Sequence, residues 1–289
     1  MTIYIIRACA TAASIALTAT LAMASGEKHG AVTDDFIAQQ RAALAAATEG
    51  AGFGPQSPRD LDVAEGKNLR SFGVAPPYTE MNLCNIHFHE NAEHRGGQFK
   101  TYAGNGDGHG YGTGFKFDGK LSKEELAPVD MKIGASKHGD LVPGDTIEIH
   151  FVHSSAQVAP GATLGACMSK AITNPHLRVE TVVGVLVNDA TAADFAKMAA
   201  VEKVDGLYQA VHLPSDLGTP VVYAGSTTGP NYNEKGSPFH VTWSVRRKVV
   251  KVDITSVNAC LKNNVFGEDH AHGVRNLVVN PALLSPISR

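Results

Sequence analysis

The sequence has few of the features that mark several large classes of protein. Its formal net charge is −3 over 289 residues, so no basic excess indicates binding to nucleic acid or to an anionic membrane surface. It contains four cysteines, and none of them has the Cys-x2-Cys spacing of a cysteine-rich zinc site. Residues 102–114, YAGNGDGHGYGTG, lack the Gly-Lys-Ser/Thr ending of a phosphate loop, and we interpret them as a mobile hairpin loop. What remains is an ordinary globular composition with 43% apolar residues.

The first 24 residues differ from the rest of the chain. MTIYIIR carries one cation and is followed by ACATAASIALTATLAMA, an uncharged apolar run that ends in small residues. This is the form of a signal peptide cleaved before Ser25. The alternative is an uncleaved anchor, because the run approaches the roughly 18 residues that can span a bilayer. We therefore expect an exported protein, periplasmic or secreted, without a membrane attachment after cleavage.

The cysteines indicate one disulfide. Removal of the signal takes Cys9 with it and leaves three cysteines in an oxidising compartment, where one disulfide and one spare thiol is the simplest count. Sequence alone does not fix the pair. Cys84 with Cys167 is preferred, because Cys260 lies in a segment whose composition is typical of a polar surface.

The distribution of apolar residues predicts a mainly β protein. Residues 25–76 form an alanine-rich, polar arm with one helix, TDDFIAQQRAALAAAT, capped by Thr33. Residues 77–289 form one domain around a large, mostly antiparallel sheet with peripheral helices. Helices are predicted at TAADFAKMAAVEKV and TSVNACLKN. Seven short runs predict strands: NLCNIHFH, GFKFDG, DTIEIHFVHSS, LRVETVVGVLVND, PVVYAG, FHVTWSVRRKVVKVDI and VRNLVVNP.

Two of these strands predict a metal site. Residues two apart on a strand share a face, so Asn85, His87 and His89 point the same way. On a second strand Glu148 and His150 share a face, with apolar residues on the other. Histidine nitrogens bind zinc, and a polar neighbour can hold the second ring nitrogen of a ligand. We predict three histidine ligands, supported by Asn85 and Glu148, and an open fourth position typical of catalytic zinc.

Several stretches, in order along the chain, resemble motifs of one enzyme family. NIHFHENAEH followed by IEIHFVHSS is similar to the zinc-binding strands of carbonic anhydrases. VVYAGSTTGP resembles the Tyr-Pro-Gly-Ser-Leu-Thr-Thr-Pro-Pro loop of the alpha class, HVTWSV its Cys-Val-Thr-Trp strand, and VRNLVVNPALL its Asn-x-Arg-x-x-Gln segment. The compressed HFHENAEHRGG and the stretch NPHLRVETVVGVLVND look more like the delta class. The resemblance spans about residues 82–281 and implies a delta-class carbonic anhydrase with an alpha-like architecture.

The resemblance implies a reaction and two catalytic residues. The reaction is the reversible hydration of CO2 to bicarbonate and a proton by zinc-bound hydroxide, with Zn2+ as the cofactor and a small molecule as the substrate. The resemblance implies that Thr227 orients the hydroxide, with Thr228 as the alternative. Glu93 then accepts a hydrogen bond from that threonine, with Glu90 as the alternative.

The resemblance also implies a substrate pocket and a proton route. An apolar CO2 pocket is expected beside the metal, and its matching residues are Val152, Val241 and Trp243. No segment matches the proton-shuttle segment of the family, and the candidates are His94, His109 and His153. The second His-x-His pair, His270 and His272, lies in GEDHAHG, whose composition favours an exposed loop with two solvated histidines.

Two other functions share some of these residues. HFHENAE and VPGDTIEIH are reminiscent of cupin motifs, and a cupin-like oxygenase or isomerase would use Glu93 as a direct metal ligand. A non-catalytic, secreted zinc-binding protein would close the site with a fourth protein ligand, either Glu93 or His94. An open fourth position separates the hydratase from both alternatives.

Overall fold

The computed structural model describes residues 30–51, 54–228 and 234–287. The predicted signal peptide, residues 1–24, lies outside the described residues. Helix α1 spans Asp34–Thr48, where the sequence predicts a helix, and its first turn is capped because Thr33 Oγ1 accepts a hydrogen bond from Phe36 N at 3.3 Å. In the described ranges, no helix combines the length and apolar character that crossing a membrane requires.

Most of the regular structure is β-strand. The strands are β1 (Pro55–Ser57), β2 (Asn82–Glu90), β3 (Phe99–Asn105), β4 (Thr113–Phe117), β5 (Thr146–Ser154), β6 (Leu177–Val187), β7 (Glu202–Val204), β8 (Leu207–Gln209), β9 (Val221–Thr228) and β10 (Gly236–Asp253). The remaining α-helices are α2 (Phe195–Met198) and α3 (Ile254–Lys262). Six strands form one sheet in the order β1-β9-β10-β6-β5-β2, while β3 pairs with β4 and β7 with β8.

The large sheet is mixed, whereas the sequence predicts a mostly antiparallel one. Strands β2, β5 and β6 pair antiparallel in succession, and so do β9 and β10. Strand β10 runs parallel to β6, and β1 runs parallel to β9. A parallel pair needs a long crossover, and residues 188–220 carry the chain from β6 across to β9 before it turns into β10.

The sheet separates two apolar clusters because its residues alternate between faces. On β5, Ile147, Ile149 and Phe151 pack into the larger cluster, which α2 and α3 cover. Val152 on the other face joins a second cluster that contains Trp243. The predicted metal ligands lie on this second face, so the larger cluster supports the site from behind the sheet.

Two of the cysteines are joined and a third is buried. Cys84 and Cys167 form a disulfide, which is the pair that the sequence favours. Cys260, predicted to lie on a polar surface, is instead 7% exposed and packs on the inner side of α3. The segment composition is misleading here, because a short amphipathic helix buries only a few of its residues.

The glycine-rich stretch forms the turn of the β3–β4 hairpin. A hairpin is predicted here, and Gly106 is required in its turn because a Cβ atom would lie 2.0 Å from Tyr111 O. The turn is held from two sides. Val32 N donates to Gly106 O at 2.9 Å, and Val274 N donates to Gly110 O at 2.8 Å. The hairpin therefore links the N-terminal arm to the segment that follows His272.

Two predicted elements differ in the structure. The long helix predicted over TAADFAKMAAVEKV is reduced to the single turn of α2, and strand β7 follows it. VRNLVVNP, predicted as a strand, is not part of any described strand. Its backbone is held by isolated hydrogen bonds to other segments, such as the one that Val278 N donates to Pro58 O at 2.8 Å. Both errors have one cause, since apolar periodicity does not show which partner a segment meets.

Candidate metal centre

Strands β2 and β5 bring the three predicted ligands together. In the antiparallel register, His87 lies directly opposite His150, and His89 lies opposite Glu148. The ring centroids are 5.2 Å apart for His87 and His89, 5.1 Å for His87 and His150, and 4.8 Å for His89 and His150. One nitrogen from each ring lies within 4.8 Å of the others, so the three rings could hold one ion.

The second nitrogen of each ring is already engaged. His87 Nδ1 donates to Asn85 Oδ1 at 2.7 Å, and Asn85 is oriented by donating through Nδ2 to Gly161 O at 3.1 Å. His89 Nδ1 donates to the carbonyl of Gly273 at 2.9 Å. These bonds fix the tautomers and leave Nε2 of both rings with a lone pair.

His150 has the opposite ring orientation, with Nε2 engaged and Nδ1 toward the site. Its Nε2 donates to Glu148 Oε1 at 2.7 Å, which leaves Nδ1 facing the site, 3.2 Å from His87 Nε2. Two ring nitrogens with lone pairs repel each other at this distance unless a cation lies between them. The Nε2 atom of His89 is buried without any hydrogen-bond partner among the described residues. A cation that accepts three nitrogens therefore fits the residues present.

The environment keeps the His87 and His89 rings neutral, as metal binding requires. Burial, helped by the neighbouring imidazoles, lowers the pKa of His87 well below its ordinary value. Burial lowers the pKa of His89 to about 4, although the nearby Glu93 carboxylate opposes the shift.

Behind His150 lies a buried hydrogen-bonded chain. Glu148 Oε1 accepts from His150 Nε2 and from His94 Nδ1, both at 2.7 Å, and Oε2 accepts from His94 N at 3.1 Å. His94 Nε2 in turn accepts from the Tyr223 hydroxyl at 2.6 Å. Burial opposes the charge on Glu148, but His94 and His150 outweigh it and hold the pKa of the carboxyl well below its usual value.

The same chain offers a second possible metal set, which the geometry disfavours. His94, Glu148 and His150 also bring ligand atoms close together. These atoms are hydrogen-bonded to one another at 2.7 Å, so each is satisfied without an ion. His94 is fully buried and supports Glu148, which places it away from solvent and from the three free nitrogens.

Glu93 and Thr227 are linked through Arg275, for which the sequence predicts no role. No hydrogen bond joins Glu93 to Thr227 in the described part of the chain. Instead, Arg275 N donates to Glu93 Oε1 at 3.0 Å, and Arg275 Nη1 donates to Thr227 Oγ1 at 2.9 Å. Arg275 lies in VRNLVVNP, the stretch that resembles the Asn-x-Arg-x-x-Gln segment, which is the one signal that pointed to it.

Glu93 lies on the outer side of the ligand rings. Its carboxylate oxygens are 3.7 Å from His89 Nδ1 and 3.9 Å from His150 Nε2, which are the nitrogens that face away from the site. Burial raises the pKa of Glu93, but His89, Arg275 and His150 together outweigh burial and lower it. Glu93 is therefore an ionised supporting group.

The alternatives to these two residues differ in position. Glu90 is one residue from His89 on β2, so strand alternation directs it to the opposite face. Thr228 ends β9, and its side chain lies outside the described residues.

The predicted pocket residues lie in one cluster beside the ligands. Val152, Val241 and Trp243 are each no more than 3% exposed and belong to the apolar cluster on the metal-site face. The Trp243 ring centroid is 5.2 Å from that of His150. An apolar wall thus adjoins the third ligand.

The GEDHAHG segment is partly exposed at His272, whose side chain is 38% exposed, but it lies closer to the ligands than its composition predicts. His272 N donates to Phe88 O and His272 O accepts from Glu90 N, both at 2.9 Å, so the segment pairs with β2. The His272 ring centroid lies 5.7 Å from His87 and 5.9 Å from His89, and His272 Nε2 bonds Glu268 Oε2 at 2.6 Å. Composition indicates a polar segment but does not reveal that the chain returns to this edge of the sheet.

The other histidines lie elsewhere. His270 stacks on His272 with centroids 5.8 Å apart, farther from the triad. His153 is fully buried, and alternation along β5 places it on the face opposite His150. His109 is exposed in the glycine-rich turn.

A protein-family comparison identifies the family. Residues 78–256 match the family model described as Delta carbonic anhydrase. The chain belongs to the delta carbonic anhydrase family. The matched range begins just before β2, ends in α3, and contains all three candidate ligands. Carbonic anhydrases are zinc enzymes, and three neutral imidazoles suit that metal.

Solved structures of carbonic anhydrases resemble the chain at low identity. The alpha-carbonic anhydrase of Photobacterium profundum is 17% identical, with a TM-score of 0.27, over 81% of this chain and 90% of that one. The alpha-carbonic anhydrase of Thermovibrio ammonificans, solved with the inhibitor sulfanilamide, is 16% identical with a TM-score of 0.27 over 78% and 84%. A hyperthermostable carbonic anhydrase from a hydrothermal vent chimney is 16% identical with a TM-score of 0.28 over 80% and 87%. No curated protein matches the sequence.

Proposed function

We propose that this delta carbonic anhydrase family member hydrates CO2 reversibly to bicarbonate and a proton, with zinc held by His87, His89 and His150. The observation that carries the proposal is the convergence of three ring nitrogens with free lone pairs, each on a ring whose other nitrogen is engaged. A bound zinc ion would supply Lewis-acid activation of water, bringing the pKa of that water near 7.

The residues around the triad orient the ligands and keep them neutral. Asn85, the Gly273 carbonyl and Glu148 each accept a hydrogen bond from the outer N–H of one ring, so the proton of each neutral ring stays on the outer nitrogen. Glu148 fixes the orientation of the His150 ring through this hydrogen bond. The rings are thus fixed before the metal binds, which reduces the cost of ordering them.

The apolar wall binds CO2, and Thr227 orients the nucleophile. CO2 has no net charge and no dipole, so the side chains of Val152, Val241 and Trp243 hold it by shape and exclude water from its place. Thr227 Oγ1 accepts from Arg275, so its own hydrogen is available to another acceptor and its remaining lone pair to another donor. This leaves Thr227 able to orient a water-derived nucleophile.

The positions of Glu93 and His94 favour a hydratase over the closed-site alternatives. A cupin-like enzyme and a non-catalytic zinc-binding protein would each need one of these residues as a metal ligand. Glu93 approaches only the outer nitrogens of His89 and His150, and His94 is bonded to Glu148 and Tyr223. With neither residue at the inner nitrogens, the fourth position is left for water and substrate.

We also propose that the protein is exported, to the periplasm or out of the cell. The supporting observations are the apolar N-terminal run with small residues before Ser25 and the disulfide between Cys84 and Cys167, a bond that persists in oxidising compartments. N-terminal sequencing of the protein from a periplasmic or culture fraction should begin at Ser25. An intact Met1 in a membrane fraction would support the anchor instead.

The activity is tested by stopped-flow CO2 hydration with the protein from Ser25 onward. Zinc-loaded protein should hydrate CO2, lose the activity when a chelator strips the metal, and regain it with zinc. His89→Ala should lose both stoichiometric zinc and activity, whereas His212→Ala, at an exposed position, should keep both. One tightly held zinc without hydration in the unaltered protein would contradict the hydratase and favour a closed site.

A further inference from the structure

Arg275 places a permanent positive charge at the site. Its Nη1 donates to Thr227 Oγ1 at 2.9 Å, and its charge acts on both His87 and Glu93. Arginine stays protonated throughout the working range of pH and carries five N–H donors in a planar fork. Among the described residues, Thr227 is the one hydrogen-bond partner of the guanidinium.

The backbone around Arg275 fixes where this charge lies. Arg275 N donates to Glu93 Oε1 at 3.0 Å, and Val274 N donates to Gly110 O at 2.8 Å. One residue earlier, the Gly273 carbonyl accepts from the ligand His89. The segment is thus tied to the metal ligands and to the β3–β4 turn, so the guanidinium reaches Thr227 from a rigid base and is not a freely moving surface side chain.

Within the described residues, no carboxylate forms an ion pair with the Arg275 guanidinium, which donates to Thr227 instead. The Glu93 carboxylate, which accepts a hydrogen bond from Arg275 N, is buried against the outer nitrogens of the ligand rings. The Arg275 side chain is partly exposed and extends to Thr227, the residue proposed to handle the nucleophile. CO2 is neutral, whereas bicarbonate is a planar anion that suits a guanidinium fork.

We propose that Arg275 is the anion-binding residue of this site, and that its guanidinium holds an oxygen of bicarbonate, or of a competing monovalent anion, beside Thr227. This inference rests on the proposed function, because it names the residue that recognises the product of that reaction. A charge-assisted hydrogen bond of this kind strengthens anion binding by about 10- to 100-fold.

The test uses thiocyanate as the probe and the visible spectrum of the cobalt(II)-loaded protein as a readout that needs no turnover. Arg275→Met should weaken thiocyanate binding by about 10- to 100-fold while one metal per chain is retained. Arg275→Lys keeps the charge but not the planar fork, so its thiocyanate affinity should lie between those of Arg275→Met and the unaltered protein. The matched control is Arg70→Met, at an exposed arginine, which should bind thiocyanate as the unaltered protein does. In the zinc protein, the thiocyanate inhibition constants should follow the same order.

Unchanged thiocyanate affinity in metal-loaded Arg275→Met would overturn the proposal. If the hydration rate fell while the anion affinity stayed the same, Arg275 would only position Thr227. If the methionine variant does not hold metal, a crystal of the cobalt protein soaked in thiocyanate decides. The anion should then lie within hydrogen-bond distance of the guanidinium, and an anion bound away from Arg275 would overturn the proposal. Failure of the proposed function would give a different result: a zinc protein that does not hydrate CO2 but whose thiocyanate binding still depends on Arg275.

Discussion

Replacing Glu148 with glutamine should weaken zinc binding although it removes none of the three metal ligands. The carboxylate accepts three hydrogen bonds, one from His150 Nε2 and two from the side chain and backbone of His94. A glutamine of the same shape has one carbonyl oxygen to accept and an NH2 group that can only donate. At least one buried donor of His94 or His150 must then face another donor.

The magnitude follows from the burial of this group. Glu148 is fully buried, so a donor that loses its acceptor costs about 1–3 kcal/mol of folding free energy. His150 also loses the charged acceptor that orients it, and such a change typically lowers metal affinity about 10- to 100-fold. The folding cost acts on the metal-free protein, and the affinity loss acts on metal binding, so the two effects can be measured apart.

The affinity is read by competition between the protein and a chelator for zinc, and the folding cost by urea unfolding of the stripped protein. The matched control is Tyr223→Phe, which removes the hydroxyl bonded to His94 Nε2 and leaves all three bonds of Glu148 intact. Ser57 Oγ lies 3.4 Å from the same nitrogen and can partly replace the lost donor. Glu148→Gln with unaltered zinc affinity would refute the supporting role assigned to this carboxylate.

Two further predictions concern stability. His153 is buried, its Nε2 has no partner among the described residues, and burial lowers its pKa to about 4 against the opposing effect of Glu180. The His153 imidazole therefore binds a proton more readily in the unfolded chain than in the folded protein. As the pH falls from about 6.5 to 4, the unfolding free energy should decrease by about 2–3 kcal/mol. In urea unfolding at pH 7.5 and 4.5, His153→Gln should lose that much less stability than the unaltered protein, and an equal loss in both would contradict the assignment. Cys84 and Cys167 are 83 residues apart, and reduction of their disulfide should lower the unfolding free energy by about 2–5 kcal/mol. An unfolding free energy that reductant leaves unchanged would show that this loop closure adds no stability.

The ligand set was predictable because it depends on local periodicity. Alternation along a strand places His87 and His89 on one face and Glu148 with His150 on one face, whatever the rest of the fold does. The register that sets His87 opposite His150 is not local, but two strands that each bury one apolar face have few ways to pair.

The rest of the site could not be read from the sequence because it is assembled from distant segments. Gly273 and Arg275 reach the ligands only because the chain returns to the edge of β2 after α3. Tyr223 arrives from β9, on the far side of β10 and β6. The polar composition of GEDHAHG was correctly recognised, yet composition carries no information on what a segment packs against.

The fold shows the same division between local and long-range information. Helices α1 and α3 and most of the strands follow from apolar patterns and caps. The parallel pairing of β6 with β10 does not, since it depends on how residues 188–220 cross the sheet. Over TAADFAKMAAVEKV the helical propensity is overridden after one turn, where β7 pairs with β8.

The central claim is that three inward-facing histidine nitrogens hold the metal and leave one position open. Anomalous diffraction at the zinc edge from crystals of the zinc-loaded protein tests it most directly. We expect one peak about 2.0–2.1 Å from His87 Nε2, His89 Nε2 and His150 Nδ1, with no fourth protein ligand. A peak bound instead by His94 and Glu148, or one also ligated by Glu93, would contradict it.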